Sequence, residues 1–228
     1  MYRYETHCHT KEVSLCAKIP AKEVVRFYKK QGYTGLFITD HFKCGGDHCL
    51  QDKSWETYIY TSCQGYARAK EAGDQMGVDV FFGWEYTHAS YIGADFLTFG
   101  LDQDWLLSHP EILHMPIRDY LTTVRNAGGL AIHAHPFREQ GYIEMIRLLP
   151  RHVDGVESPN ANRTPFENQT AAEYAEKYGL FLFAGTDNHR GKDQTRFCGI
   201  DTEQKVQSEA HFVHLLKQGK FQRFDIQR

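Results

Sequence analysis

The sequence predicts a single α/β domain whose parallel sheet closes into a barrel-like ring. Three observations carry this. Short apolar runs of strand length alternate with amphipathic helical stretches, roughly six or seven times along the chain. His, Asp and Glu recur around the ends of those runs, at His7, His9, Asp40-His41, Glu85, Asp95, His133-Ala134-His135 and Asp187-Asn188-His189, and converging strand ends are where barrel enzymes place their chemistry. Finally, 228 residues with 41% hydrophobic and 24% charged side chains suit one large globular domain over residues 1–228.

The first strand is read over residues 2–7. Its continuation His7-Cys8-His9 places two imidazoles at i and i+2. On a strand these share a face and can meet one divalent ion from the same side. His-x-His alone is as readily a coincidence; the later strand ends give it weight. A loop carries residues 10–19, and Pro20 opens a helix over 21–31 with Val24, Val25, Phe27 and Tyr28 as its apolar face. Residues 35–39 form a continuous apolar run, as in a strand buried on both faces, and deliver Asp40 and His41. Residues 42–53 have no period and contain Gly45-Gly46, so a loop over the site mouth is expected.

A helix is expected over 55–76, a strand over 78–84 ending at Glu85, and another over 95–100 starting at Asp95. Pro116 opens a helix that runs to Asn126 and stops at Gly128-Gly129. Residues 130–132 form a short strand leading to His133 and His135. Residues 142–149 read as helix, 153–157 as a strand broken by Ser158-Pro159-Asn160, and 166–178 as a helix stopped by Gly179. Residues 180–184 are the last clear strand before Asp187, and a helix over 208–218 closes the chain. No internal repeat or low-complexity segment interrupts this order.

Composition excludes several classes. A net charge of −3 argues against a nucleic-acid partner held by a basic face. No apolar run approaches the length of a membrane span. The chain starts directly in a strand pattern without a signal peptide, so a cytoplasmic location is expected. The six cysteines, Cys8, Cys16, Cys44, Cys49, Cys63 and Cys198, are scattered, and reduced thiols are expected. Cys44 and Cys49 with His48 between them suggest a structural zinc site, but no second ligand pair follows at finger-like spacing, which leaves a plain loop. Thirteen histidines fit a metal enzyme.

The strand-end residues are imidazoles and carboxylates, a mixture that suits Zn²⁺, Mn²⁺ or Fe²⁺. Several carboxylates permit bridging, so a centre of two or three divalent metals is expected. Such centres activate water and neutralise phosphoryl oxygens.

At His7-Cys8-His9, Thr39-Asp40-His41, His135-Pro136 and Asp187-Asn188-His189, with Gly83-Trp84-Glu85 as a fifth match, the chain resembles the PHP (polymerase and histidinol phosphatase) family. These motifs stand in family order and span nearly the whole chain. The resemblance implies a distorted (β/α)7 TIM-like barrel, two or three metals and phosphoester hydrolysis. It implies that His7, His9, Glu85 and Asp187 hold a first metal, that Glu85 bridges to a second bound by His135, and that His41 and His189 bind a third. Two positions depart from the commonest family pattern. Asp95 stands where many members have a histidine. For the His or Asp that many members carry shortly after His-x-His, the candidates are Glu12, Ser14 and Cys16, of which Glu12 is preferred.

With Glu12, Glu85, Asp95 and Asp187 contributing about −4 and three divalent ions about +6, the surplus of roughly +2 suits a phosphate dianion. Arg138, Arg163 and Arg190 are candidate phosphate-binding residues, because an arginine fork matches two phosphate oxygens at once. Glu157, at a strand end, is a candidate substrate contact or a structural hydrogen-bond acceptor. Glu85 and His189 are the candidate catalytic residues, the first bridging the metals that hold a hydroxide nucleophile, the second, or His41, supplying the leaving-group proton if not fully committed to the third metal, with a metal as the alternative.

The plainer readings cover the remaining histidines. His48, His109, His114, His152, His211 and His214 read as surface polar residues. His88, three residues after Glu85, is within reach of substrate, and His133 supports the metal-binding His135. Trp84, Tyr86 and Tyr91 read as packing. The function expected is hydrolysis of a small phosphomonoester, such as histidinol phosphate or a nucleotide or sugar phosphate. An amidohydrolase-type metal hydrolase is the competing reading, disfavoured by the lack of a candidate carboxylated lysine. A non-catalytic metal-binding PHP domain is the third.

Overall fold

The computed structural model describes residues 1–44, 50 and 53–228. The first strand, β1, spans Tyr2–Cys8, and β2 spans Gly35–Ile38, with helix α1 (Ala21–Lys30) as the crossover between them. The expected strand ending at Asp40 continues beyond it as β3 (His41–Cys44). Strand β4 (Asp79–His88) is long enough to pair in parallel with β2 along Asp79–Phe82 and with β3 along Glu85–His88. Asp40 thus sits at the break between two strands that share one neighbour.

The expected helix over 55–76 is two helices, α2 (Trp55–Ser62) and α3 (Gln64–Met76), parted at the buried Cys63. The break brings Gly65 against Thr10 and Asp40 so closely that a Cβ there would collide with both side chains. Strand β5 (Asp95–Phe99) follows, then α4 (Gln103–Ser108), α5 (Ile117–Asn126) and β6 (Leu130–Ala134). Strand β7 (Gly155–Asn160), α6 (Pro165–Tyr178) and β8 (Phe181–Gly185) complete the alternation. Helix α6 opens with a capping box in which Thr164 and Glu167 satisfy each other's backbone N–H groups.

Two strands lie beyond those the periodicity reveals. Strand β9 (Arg196–Thr202) pairs antiparallel with the start of β1, and β10 (Gln222–Gln227) pairs antiparallel with β9; α7 (Glu209–Lys217) connects them. Strand β10 alternates exposed polar residues with Phe224 and Ile226, the mark of a one-sided edge strand.

Seven strands, β1, β2, β4, β5, β6, β7 and β8, form the ring. It is nearly closed where the chain leaving β8 meets the end of β1. There Asn188 N donates to His7 O at 3.2 Å, His9 N donates to Asn188 O at 3.4 Å, and Thr6 Oγ1 donates to Ala184 O. The expected distorted TIM-like barrel is therefore the fold. The expectation of an all-parallel sheet needs one correction, because β5 runs antiparallel to both β4 and β6. The reason is length: residues 89–94 link β4 to β5, too few for a crossover of about a dozen residues. As a consequence Asp95, at the start of β5, pairs with Ala134 at the end of β6. A reversed strand puts its first residue on the rim where the others put their last.

The helix expected over 142–149 is absent; that stretch has no regular structure. It is only eight residues long, has no capping residue, and leaves Tyr142, Met145 and Ile146 exposed. A helix that short needs packing to persist. The expected loop over 42–53 and the Cys44/Cys49/His48 zinc reading fall largely on residues 45–49, 51 and 52, which lie outside the described residues. No described helix is long and apolar enough to cross a membrane.

Candidate metal centre

The first strand sets the centre. Glu5, His7 and His9 alternate onto one face, and all three are buried. His7 Nδ1 lies 2.7 Å from Glu157 Oε1, which leaves Nε2 facing Glu85 Oε1 at 3.5 Å and Asp187 Oδ1 at 3.6 Å. His9 Nδ1 lies 3.2 Å from Ser14 Oγ, which leaves Nε2 3.4 Å from Asp187 Oδ1 and 3.6 Å from Glu85 Oε2. Each ring is oriented through its far nitrogen, as metal-binding imidazoles are.

Glu85, on β4, lies at the middle of the cluster. Its Oε1 is 3.0 Å from His135 Nε2 and its Oε2 is 2.6 Å from His41 Nδ1. Asp187 Oδ1 is 3.1 Å from His189 Nδ1, and Asp187 Oδ2 is 3.9 Å from His135 Nε2. His41 Nε2 and His189 Nε2 face each other at 3.2 Å. If both Nδ1 atoms donate to their carboxylates, two nitrogen lone pairs are left pointing together. That arrangement requires a proton or a metal cation between them.

Backbone strain gathers at the same place. His135 (φ 29°) and Asp187 (φ 57°) are the non-glycine residues with left-handed φ among those described, a conformation that costs about 1–3 kcal/mol each. Both are brought onto the cluster by it. Gly185 serves the same approach from β8, since a Cβ there would lie 2.5 Å from both Glu157 Oε1 and His7 Cβ.

Burial and mutual charge together set the ionisation of the cluster. Burial penalises the Glu85 and Asp187 charges, but His41, His7 and His135 around the first, and His7, His9, His135 and His189 around the second, hold both carboxyls well below their usual range. Burial opposes protonation of His41 and His189, yet Glu85 raises the first to about 10 and Asp187 the second to about 9, with Cys16 assisting both. His9, hemmed in by those two rings, is pushed well below its usual value by burial and their charge. Buried His7 Nε2 and His9 Nε2 have no hydrogen-bond partner among the described residues, and Glu85 Oε2 and Asp187 Oδ1 meet ring nitrogens of the cluster itself. Unpaired buried polar atoms are costly, and here they converge. Four overlapping sets bring ligand atoms within 4.8 Å of one another: His7, His9 and Glu85; His7, His135 and Asp187; Glu85, Asp95 and His135; and His9, His41 and His189. These residues fit divalent metal ions, and Glu85 belongs to two of the four sets.

The structure thus brings together His7, His9, His41, Glu85, Asp95, His135, Asp187 and His189. Asp95 also carries Thr87 Oγ1 at 2.5 Å and Arg138 Nη2 at 3.0 Å. Glu12 is not brought in. Its Oε2 accepts from Ala21 N at 2.9 Å, so it caps the start of α1, where a carboxylate complements the helix dipole. Cys16 stands near the cluster instead, with Sγ 3.3 Å from His41 Nε2. Glu157 is fully buried, its oxygens taken by His7 Nδ1, His135 N and Asn160 Nδ2. It orients ligands and has no free edge for a substrate.

Of the three arginines, Arg138 lies beside the cluster, paired to Asp95. Arg163 faces Glu167 at 3.9 Å, and Arg190 is exposed next to His189. His88 Nδ1 accepts from Ser90 N. His133 is buried against Phe96 and does not join His135 in the cluster. Trp84 and Tyr86 pack as expected, both against Tyr120.

One buried carboxylate of the site escaped the sequence reading, and a second has a role it did not assign. Glu5 accepts from the backbone N–H groups of Thr6, His7 and Thr186, and burial pushes it up to about 7. Its i−2 spacing from His7 was the available signal. Asp40, read only as part of a motif, accepts from Thr10 N, Thr10 Oγ1 and Ser14 Oγ. It fixes the loop that holds His9.

Neither a protein-family model nor a curated protein matches this sequence. Solved structures do. A protein from Bifidobacterium adolescentis, provisionally described as a metal-dependent phosphoesterase, superposes with a TM-score of 0.56 at 16% identity, over 95% of this chain and 96% of its own. A two-domain protein from Bacteroides vulgatus, described as containing a predicted PHP-like metal-dependent phosphoesterase, superposes with a TM-score of 0.67 at 12% identity, over 98% of this chain and 64% of its own. An amidohydrolase from Chromobacterium violaceum with bound sulfate gives a TM-score of 0.58 at 17% identity, over 97% of this chain and 98% of its own. The fold of this chain is accordingly the barrel found in PHP-like metal-dependent phosphoesterases.

Proposed function

We propose that this chain is a metal-dependent phosphoesterase of the PHP type that hydrolyses a small phosphomonoester. The observation that carries the reading is the convergence of His7, His9, His41, Glu85, His135, Asp187 and His189 on one barrel rim, with the buried Nε2 atoms of His7 and His9 turned into it unpaired. Zn²⁺, Mn²⁺ or Fe²⁺ suit these nitrogen and oxygen donors. When bound, such ions lower the pKa of water toward neutrality and offset the charge of phosphoryl oxygens.

The chain's own residues have separable tasks. Glu157 and Ser14 hold His7 and His9 with Nε2 turned inward. Glu85, with two carboxylate oxygens, would hold two ions at once, which one imidazole nitrogen cannot do. Arg138, steadied by Asp95, offers the remainder of its guanidinium fork to a phosphate beside the ions. The leaving alkoxide takes its proton from His189 or His41, at the exposed side of the cluster, where that ring is not committed to an ion; where both rings hold one, the alkoxide would be neutralised by the ion itself. The proposal extends to a cytoplasmic enzyme acting on a small phosphorylated metabolite.

The sulfate-bearing amidohydrolase neighbour favours amide hydrolysis as a second reading. Against a centre bridged by a carboxylated lysine, none of the described lysines is buried. The deciding experiment strips the protein, adds back Mn²⁺, Zn²⁺ or Fe²⁺, and assays a phosphomonoester panel beside an amide panel. Phosphate release is expected with at least one metal. Verified metal loading with no phosphate released from any ester sinks the proposal, and amide turnover in its place establishes the second reading.

A further inference from the structure

Cys16 is the exposed cysteine among those described; Cys8, Cys44, Cys63 and Cys198 are buried. Its loop is firmly placed. Ser14 N donates to Thr10 O, Ala17 N to Ser14 O, and Lys18 N to His189 O at 3.0 Å. The last bond ties the cysteine loop to the backbone of a cluster histidine. Cys16 Sγ is thereby held 3.3 Å from His41 Nε2, which itself is 3.2 Å from His189 Nε2.

Those separations match a tetrahedral site. With metal–nitrogen bonds of ~2.0–2.1 Å and a metal–sulfur bond of ~2.3 Å, nitrogen pairs stand roughly 3.3 Å apart and nitrogen–sulfur pairs roughly 3.6 Å apart. A second, independent observation points to a ligand here. His9 Nε2 is buried without a hydrogen-bond partner among the described residues, and it joins His41 and His189 in one ligand-sized cluster.

We propose that Cys16 is a thiolate ligand at the outer metal position, forming with His41 and His189 a mixed nitrogen–sulfur site that favours zinc or another thiophilic divalent ion over Mg²⁺ or Mn²⁺. The proposal rests on the reading of the rim as a metal centre, and it adds a softer donor to an otherwise nitrogen and oxygen set. Soft thiolate ligands select zinc-like ions, whereas carboxylate and water ligands suit Mg²⁺ and Mn²⁺. The inner positions around Glu85, Asp95 and Asp187 have no sulfur. One rim therefore offers ion positions of two different selectivities.

The test is spectroscopic and needs no substrate. Stripped full-length protein is titrated with Co²⁺, and the near-ultraviolet thiolate-to-cobalt charge-transfer band is followed in wild type and in Cys16→Ser. Wild type is expected to develop the band; Cys16→Ser is expected to lack it and to hold fewer cobalt equivalents per chain. X-ray absorption at the zinc edge of the zinc-loaded wild type is expected to show sulfur at ~2.3 Å, and this decides the matter should Cys16→Ser not fold. Full cobalt loading without the band, or a band that persists in Cys16→Ser, overturns the proposal and leaves the phosphoesterase reading standing. A sulfur signature in a protein that hydrolyses no phosphoester does the reverse. Failure to bind any metal overturns both.

Discussion

The two ends of the barrel are built from the same strands on opposite principles. At the foot, Phe37, Phe81, Phe99, Phe183 and Tyr4 line a closed interior, and Phe212 from α7 plugs it, 4.3 Å from Phe37 and 5.7 Å from Phe99 between ring centroids. At the rim, a few residues further along each strand, the interior is filled by imidazoles and carboxylates. The foot is stabilised by removing apolar area from water, a term that needs no partner of defined charge. The rim is stabilised only if its charges are matched, since an isolated buried charge costs far more than a buried ring gains. The foot is complete with the chain alone, whereas the rim is completed by cations.

This contrast can be broken at either end. The largest effect belongs to Glu85→Gln, which keeps the size and removes the charge shared between ion positions. A loss of several decades in kcat/KM is expected, at about 1.4 kcal/mol per decade, together with at least one metal. A variant within about threefold of wild type with full metal content refutes the bridging role. At the foot, Phe212→Ala should cost about 3–5 kcal/mol of stability and leave the metal count of the folded fraction unchanged. Denaturant melts with metal analysis check this, and metal loss in the folded protein would show that the ends are not independent.

Chelation addresses the rim without mutation. Metals at about a thousand times their dissociation constant stabilise by ~4 kcal/mol, so stripping should lower Tm by roughly 8–16 °C for a chain of this size. An unchanged melt, with metal loss verified, removes the coupling between rim and fold. Glu157→Gln sharpens the comparison, because Glu157 touches no ion position yet sets His7. A fall of about 10–100-fold in metal affinity is expected, with KM for substrate little changed by comparison. A pure KM effect would return Glu157 to substrate binding.

The smallest effect lies on the outermost strand. Arg196 holds the Asp225 carboxyl below its usual value. A depressed carboxylate stabilises above its unfolded pKa and loses that contribution as pH falls through the folded value, so the window is below about pH 4. The pair is partly exposed, and its worth is at most about 1 kcal/mol. Comparing apo wild type with apo Asp225→Asn at neutral pH and near pH 3, the Tm gap should narrow at the lower pH. A gap that widens contradicts the assignment.

Much of this molecule is determined by local sequence. His7 and His9 share a face because strands alternate, and Pro20, Gly77 and Gly179 bound their helices through backbone geometry. Apolar runs such as residues 35–38 are buried on both sides because nothing in them tolerates water. Local pattern therefore supplied the α/β alternation and most of the ionisable rim. Three features needed the tertiary structure. The reversal of β5 follows from a connection too short to cross over, and it alone puts Asp95 on the rim. The exchange of Glu12 for Cys16 follows from where α1 begins: the N-terminus of that helix claims the carboxylate for its unpaired N–H groups, and the loop bond from Lys18 to His189 brings the thiol to the histidines. Glu157 became a ligand-orienting residue because β7 and β8 close on β1 and seal it from solvent. Each of these outcomes depends on contacts between residues distant in sequence, and hydrophobic periodicity carries no record of such contacts.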